Sequence, residues 1–527
     1  MGTDHGIDNL WRRLVALCLC EALILMPVSS SVAQSPAPPD RQEPLRSYLQ
    51  KSYLELFELA PTLNFSMEEI RKQRESFSRG EESCINRFKA HVNQYQKQLD
   101  EARSDLKKNT EKMSSEQRKT AHCNIQNLDL LRSEAEVLAR EAIPTAYDNL
   151  SAKLDVIEKW PALYEQTCQE IASNTYLKRQ WADVNDIGFR EIEKGQQDDI
   201  KRGQEAIEEL KRSHLLPPEV EDKAIQDYVN TVAQRIARKS DLKVPLHVVV
   251  LQSKEINAFA LPGGYLFIER GLLEAADDES ELAGVLAHEL SHDVARHSAK
   301  LMKRATIAGI FYQSAQVAAI VLTGGVAGIG LAYALQYGFY GLGMVLDLKL
   351  LGVSRDYELE ADKLGVQYAW NAGYDPTGFI RFFDKIATKK GYVNGVSWFR
   401  THPPFYQRMV ETQREIMFLP HKTDLIMQTS AFDDMKQKLA PITAKAEKEE
   451  VKKPSLLMTR EEGCQPPKKV ESKPGQPIEE LCATSKAIQI ANKYDSRFKE
   501  ANSQATLQNS CFQAKPVIQT STKRRSQ

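Results

Sequence analysis

Glu281-Leu282-Ala283-Gly284-Val285-Leu286-Ala287-His288-Glu289-Leu290-Ser291-His292 is the stretch from which the rest of the chain is read. It reads as a helix, and on a helix residues four apart share a face. Both imidazoles of His288 and His292 can then reach one Zn²⁺, with Glu289 beside it as general base. The bland alternative is a surface helix that happens to carry two histidines, so the choice turns on further ligands. Catalytic zinc takes three protein ligands and keeps one position open for water. The long metzincin pattern would put glycine three residues and histidine six residues beyond the second histidine. Ala295 and Ser298 stand there instead, which excludes that class. His297 lies nine residues past His288, about half a turn round an unbroken helix, and is not expected to join the pair.

The densest carboxylates elsewhere lie in Ser354-Arg355-Asp356-Tyr357-Glu358-Leu359-Glu360-Ala361-Asp362. Glu358 and Asp362 share a helix face, so one can bind metal while the other orients a ligating histidine through its second N–H. Alone, an acidic helix start is more often solvated surface. Beside the histidine pair it becomes the expected source of the third ligand.

These two segments, with Asn257-Ala258-Phe259-Ala260 followed by Pro262-Gly263-Gly264, and with Thr401-His402-Pro403-Pro404, resemble the zinc peptidase family of HtpX, BepA and the type I CAAX prenyl proteases. The similarity runs roughly from Phe189 to Leu419 and looks nearest to the exported, BepA-like branch. The resemblance implies zinc on His288, His292 and Glu358, Glu289 as base, and Asp362 behind the ligands. It implies that Asn257, Ala258, Phe259 and Ala260 form an edge strand whose backbone pairs with an extended substrate. His402 and Arg408 match a histidine and an arginine near the tetrahedral intermediate, where they can stabilise the oxyanion. In the BepA-like branch the matching histidine can instead cap the zinc and hold the enzyme latent, and sequence does not choose between these roles. The C-terminal helical-repeat domain common in that branch is not visible here.

Outward from this body the composition changes. The chain has 527 residues, and a prior of about 150 per domain suggests several units. A net charge of −1 gives no global pull toward nucleic acid or anionic membrane. With 42% hydrophobic and 27% charged residues it reads as globular, neither polytopic in a membrane nor wholly disordered. Residues 1–33 read as a signal peptide: Arg12 and Arg13, an apolar run from Leu14 to Val28, then Ser31-Val32-Ala33. An uncleaved anchor is the lesser reading, and a Pro-rich linker, 34–45, follows. An exported protein, periplasmic or envelope-associated, is expected, so the six cysteines beyond the signal can form disulfides. Three lie before residue 170 and three after 460, so full pairing would need at least one bridge between those regions.

Residues 46–188 form an α-helical, coiled-coil-like region. Ile85, Phe88, Val92, Tyr95, Leu99, Ala102 and Leu106 step by threes and fours, as do Leu128, Leu131, Ala135, Leu138 and Ala142. Asn109 to Lys119 interrupts the pattern and Pro144 is expected to end it. A helical hairpin is the plain reading; an arm gripping substrate or partner is the other. The metallopeptidase body is placed at 189–440, with a small sheet from Leu242 to Val250 and Tyr265 to Ile268. Within it, 305–346 lacks any charged residue and reads as an apolar lid or hairpin, the alternative being peripheral membrane contact. The tail, 441–527, is charged and largely extended.

The expected fold is therefore mainly α with a small β-sheet, a gluzincin-type body behind a long helical hairpin. The expected function is a zinc endopeptidase that cleaves extended or misfolded protein segments in envelope quality control. The competing reading is a latent, zinc-containing chaperone-like or scaffold protein that binds clients with little proteolysis. Partners are protein or peptide substrates, without nucleic acid.

Overall fold

A computed structural model describes residues 44–212, 216–302, 355–387, 398–399, 402, 404–450 and 478–486. The expected signal peptide, most of the expected linker, the uncharged 305–346 segment and most of the tail lie outside the described residues. The architecture is α+β, a mainly helical chain with one small sheet and a long helical N-terminal region.

Two helices, Met67–Asn109 and Ser115–Val137, pack together as the hairpin. Each starts in a capping box, Ser66 with Glu69 and Ser114 with Gln117, which satisfies backbone donors left over at a helix start. Phe88, Tyr95 and Leu99 of the first stripe are buried, as are all five residues of the second. Pro144 does not end the helical path. A π-helical turn, Leu138–Ala142, precedes it, and Pro144 falls in the first turn of the next helix, Ile143–Ala172. The wider turn makes room for the proline ring against the preceding carbonyls, so the helical path continues through it.

The sheet has the order β1-β3-β2, with β1 His247–Leu251, β2 Ala258–Leu261 and β3 Tyr265–Glu269. β1 runs parallel to β3 and β2 antiparallel to it. The strand expected from Leu242 begins only at His247, since Pro245 cannot donate to a ladder. The Pro262-Gly263-Gly264 turn joins β2 to β3, and both glycines have φ near +90°, a region that side chains rarely enter.

The helix Glu279–Val294, here the motif helix, is buried along its whole length. It packs against β2, the helix Lys223–Ala237, the helix Arg355–Asn371 and the helix Gly378–Ala387. That placement leaves it no solvent-facing side. The helix Tyr406–Phe418 then packs on both Arg355–Asn371 and Ile143–Ala172, joining the N-terminal region to the body.

Two interactions brace that junction. Lys153 is buried, with its ammonium 2.8 Å from Asp384 Oδ1 and donating to the Lys51 carbonyl at 2.6 Å. Arg414 bonds Glu170 at 2.9 Å. A disulfide, Cys84–Cys482, fastens the short helix Ile478–Thr484 to the hairpin across 398 residues of sequence, and Arg87 donates to the Cys482 carbonyl. It is a bridge of the kind expected between the two cysteine groups. Cys123 is disulfide-bonded too.

Removing the cation of a buried pair costs more than the pair contributes. Lys153→Met should lower unfolding stability by about 3–5 kcal/mol in urea titration, and adding Asp384→Leu should recover most of that loss.

Candidate metal centre

Three elements bring the candidate residues together. The motif helix supplies His288, Glu289 and His292 from one face, and Arg355–Asn371 crosses it and supplies Glu358 and Asp362. His402 and Arg408 arrive just before and within Tyr406–Phe418. All seven side chains are buried. The two crossing helices approach closely at Gly365: a Cβ there would lie 2.9 Å from the His288 backbone nitrogen.

His288 Nε2 and His292 Nε2 face each other at 3.1 Å, and Glu358 Oε2 and Oε1 lie 3.6 and 3.4 Å from them. Zinc bonds of about 2.0–2.1 Å at tetrahedral angles would separate ligand atoms by about 3.4 Å, so the trio has the spacing of a zinc site. Neither Glu358 oxygen accepts a hydrogen bond in good alignment, although Arg408 Nη1 lies 3.0 Å from Oε2. Buried acceptors without donors are costly unless a cation sits against them.

Charge points the same way. Glu289, Glu358 and Asp362 bring three buried carboxylates against the one guanidinium of Arg408, which leaves two negative charges to be met. Burial would lift the Glu358 carboxyl, yet Arg408, His402 and the ligand histidines hold it well below its usual range. Burial likewise opposes charge on His288, but Asp362 and Glu358 outweigh it and push the imidazole up to about 9. A potential that holds a proton on His288 also holds a metal cation, which displaces the proton on binding.

The surrounding groups orient this set. Asp362 Oδ1 lies 2.9 Å from His288 Nδ1, which leaves Nε2 toward the centre. Arg408 donates to both Asp362 oxygens, at 2.6 and 2.9 Å, with Nη2 3.3 Å from His288 Nε2. Its guanidinium is thus engaged with the carboxylates. Phe379 stacks on His288 with centroids 5.1 Å apart. His402 Nε2 lies 3.0 Å from Glu289 Oε1, and its ring stacks on Trp398 at 4.1 Å. Burial would raise the Glu289 carboxyl, but His402 holds it below the ordinary value. His402 also offers a nitrogen within 4.8 Å of the other three candidate ligand atoms.

Asn257 to Ala260 does not enter this cluster. β2 lies at the sheet edge and against the motif helix. Asn257 O accepts from Glu269 N at 3.0 Å, so by antiparallel alternation Ala258 and Ala260 turn their backbone groups away from β3. Ser298 Oγ donates to the Ala260 carbonyl at 2.8 Å, in agreement with that reading.

Sequence reasoning missed two neighbours. Asp293, next to His292, accepts from Gly263 N at 3.1 Å and ties the turn after β2 to the motif helix; burial pushes its carboxyl up to about 7. His297 is no member of the trio, but it is not remote either. Arg296 adopts φ 56°, the motif helix stops, and His297 turns back to place Nδ1 3.0 Å from His292 Nδ1. An unbroken helix was the wrong frame for it. An arginine in left-handed backbone leaves no mark in the residue pattern.

Residues 223–416 match Peptidase family M48. The "Beta-barrel assembly-enhancing protease" of Yersinia pestis is 31% identical over 213 residues, 39% of this chain and 42% of the relative. The protein of that name from Escherichia coli (strain K12) is 30% identical over 180 residues, 33% of this chain and 35% of the relative. The "Mitochondrial metalloendopeptidase OMA1" of Schizosaccharomyces pombe is 33% identical over 187 residues, 34% of this chain and 50% of the relative. The chain spans half or less of the length of these relatives.

The close approach at Gly365 yields a test of the scaffold. Gly365→Val must push the two metal-site helices apart, and overpacking of this kind costs about 1–3 kcal/mol. Thermal unfolding should show that loss, together with weaker zinc retention on dialysis.

Proposed function

With residues 223–416 a Peptidase family M48 domain as the premise, we propose that the protein is a zinc-dependent endopeptidase acting on extended or misfolded protein segments. The observation that carries the reading is the buried trio of His288, His292 and Glu358 with Glu289 in the same cluster. Zinc bound by the trio supplies Lewis-acid polarisation of the scissile carbonyl and makes water a nucleophile near neutral pH. Glu289 takes the proton from the attacking water and passes it to the leaving amine. Asp362 holds His288, and Arg408 holds Asp362 and Glu358. We assign Arg408 this positioning task in place of the oxyanion contact that the family resemblance implies. An extended chain pairs with the outward backbone groups of Ala258 and with the Ala260 N–H, the Ala260 carbonyl being held by Ser298, which favours substrates able to open into a strand.

His402 has two readings. As an oxyanion donor it would help turnover. The 3.0 Å contact with Glu289 favours the other, in which His402 occupies the base and the fourth metal position and must withdraw before cleavage. A client-binding protein without proteolysis is the weaker alternative, since binding alone has no need of Glu289 beside the trio. We place the enzyme in envelope protein quality control as an exported protein, on the N-terminal signal pattern and the similarity to the bacterial beta-barrel assembly-enhancing proteases. No helix among the described residues is long and apolar enough to cross a membrane. In this reading the helical region 46–188 braces the peptidase body of 189–440.

Zinc-loaded protein should cleave an unfolded reporter such as reduced casein. Glu289→Gln should lower the rate by about 10²–10⁴-fold while zinc content stays at one per chain. Equal cleavage by both proteins would sink the mechanism. His402→Ala should raise the rate if His402 caps the site and lower it if His402 serves the oxyanion.

A further inference from the structure

Both histidines of the trio need the same thing: a proton on Nδ1 and a lone pair on Nε2. For His288 the group at Nδ1 is a carboxylate, Asp362, at 2.9 Å. For His292 the neighbour at Nδ1 is another imidazole, His297, at 3.0 Å. His297 Nε2 in turn lies 3.1 Å from Glu360 Oε2.

Proton counting fixes the direction of this chain. An ionised carboxylate only accepts, so His297 Nε2 carries a proton toward Glu360. A neutral imidazole has one such proton, so His297 Nδ1 accepts. His292 Nδ1 must then donate, and His292 Nε2 is left with its lone pair facing His288 and Glu358. From this geometry we infer that His297, oriented by Glu360, is the positioning residue that holds His292 in its metal-binding tautomer. The inference rests on the metal-centre reading above and adds to it a pair of residues outside the ligand set.

The arrangement has a geometric cause. Glu360 and Asp362 sit two residues apart on one helix, roughly 200° apart around its axis, so they cannot both touch the trio from the same side. Asp362 reaches His288 directly, and His297 spans the gap between Glu360 and His292. The imidazole is held for that task from several directions. Its ring is buried and stacks on Tyr357 with centroids 4.2 Å apart and planes 13° from parallel. The turn that delivers it is pinned by Arg296, whose Nη2 donates to Asp199 Oδ1 at 2.9 Å. Ser298, one residue on, is tied to Ala260 of β2.

The test is zinc affinity of the full mature chain, measured by competition with a chromogenic chelator at pH 7, with unfolding of the metal-free protein recorded alongside. His297→Leu fills similar space without an acceptor. It should weaken zinc binding by about 10–100-fold, the usual cost of removing such a partner. His297→Gln, whose amide oxygen can accept from His292, should recover most of that loss. Glu360→Leu, at a side chain that is 32% exposed, should weaken binding in the same direction, and it decides alone if His297→Leu does not fold. Zinc affinities within twofold of wild type in His297→Leu and Glu360→Leu would overturn the inference. So would a leucine variant whose only defect is in the unfolding of the metal-free protein. Wild-type protein that binds no zinc would instead fail the metal-centre reading itself, so the two failures are distinguishable.

Discussion

Three carboxylates and one guanidinium, all out of water at the crossing of two helices, set the terms for everything around them. Glu289, Glu358 and Asp362 are buried with Arg408 as their cation, and such a cluster is stable only if each charge meets donors or a metal. Asp362 meets Arg408 and His288, and Glu289 meets His402. Glu358 has oxygens left over, and they face the two Nε2 atoms. Buried carboxylate oxygens grouped with two imidazole nitrogens could hold a metal cation, and electrostatics favours positive charge there before any chemistry is considered. A cation placed there is also where a peptide carbonyl would be polarised.

The packing suits that cluster. The motif helix is buried on all sides, which keeps the cluster dry, and lies between sheet and helices. Gly365 lets the carboxylate-bearing helix come close enough for Glu358 to share a centre with His288 and His292. The N-terminal region completes the far wall. Its helix Ile143–Ala172 packs on the helix that carries Arg408, and Lys153 reaches Asp384 on the helix that carries Phe379. Phe379 lies on His288. A helical region outside the peptidase match is therefore in physical contact with the elements that hold the site, and the Cys84–Cys482 bridge binds a distant segment to it.

The edge strand and the metal cluster are separate places joined by short links. Asp293 holds the turn after β2 while its neighbour His292 faces the trio. Ser298 holds the Ala260 carbonyl while its neighbour His297 faces His292. Adjacent residues with different contacts give β2 and the His288–His292–Glu358 cluster one common support, so a displaced strand would be felt at the cluster.

The sequence by itself determined whatever depends on local periodicity. Spacing of four put His288 with His292 and Glu358 with Asp362, and steps of three and four marked the buried stripes of the hairpin. These were legible because helix geometry converts residue number directly into direction. Tertiary structure decided what depends on a break in that geometry or on distant segments meeting. The left-handed Arg296 turned His297 from the wrong side of a helix into a neighbour of His292. A π-helical turn let the chain pass Pro144 without stopping. Arg408 met Asp362, 46 residues away in sequence, and Lys153 met Asp384 across the junction. No local pattern encodes these, because a buried charge selects its partner by proximity after collapse and not by position along the chain.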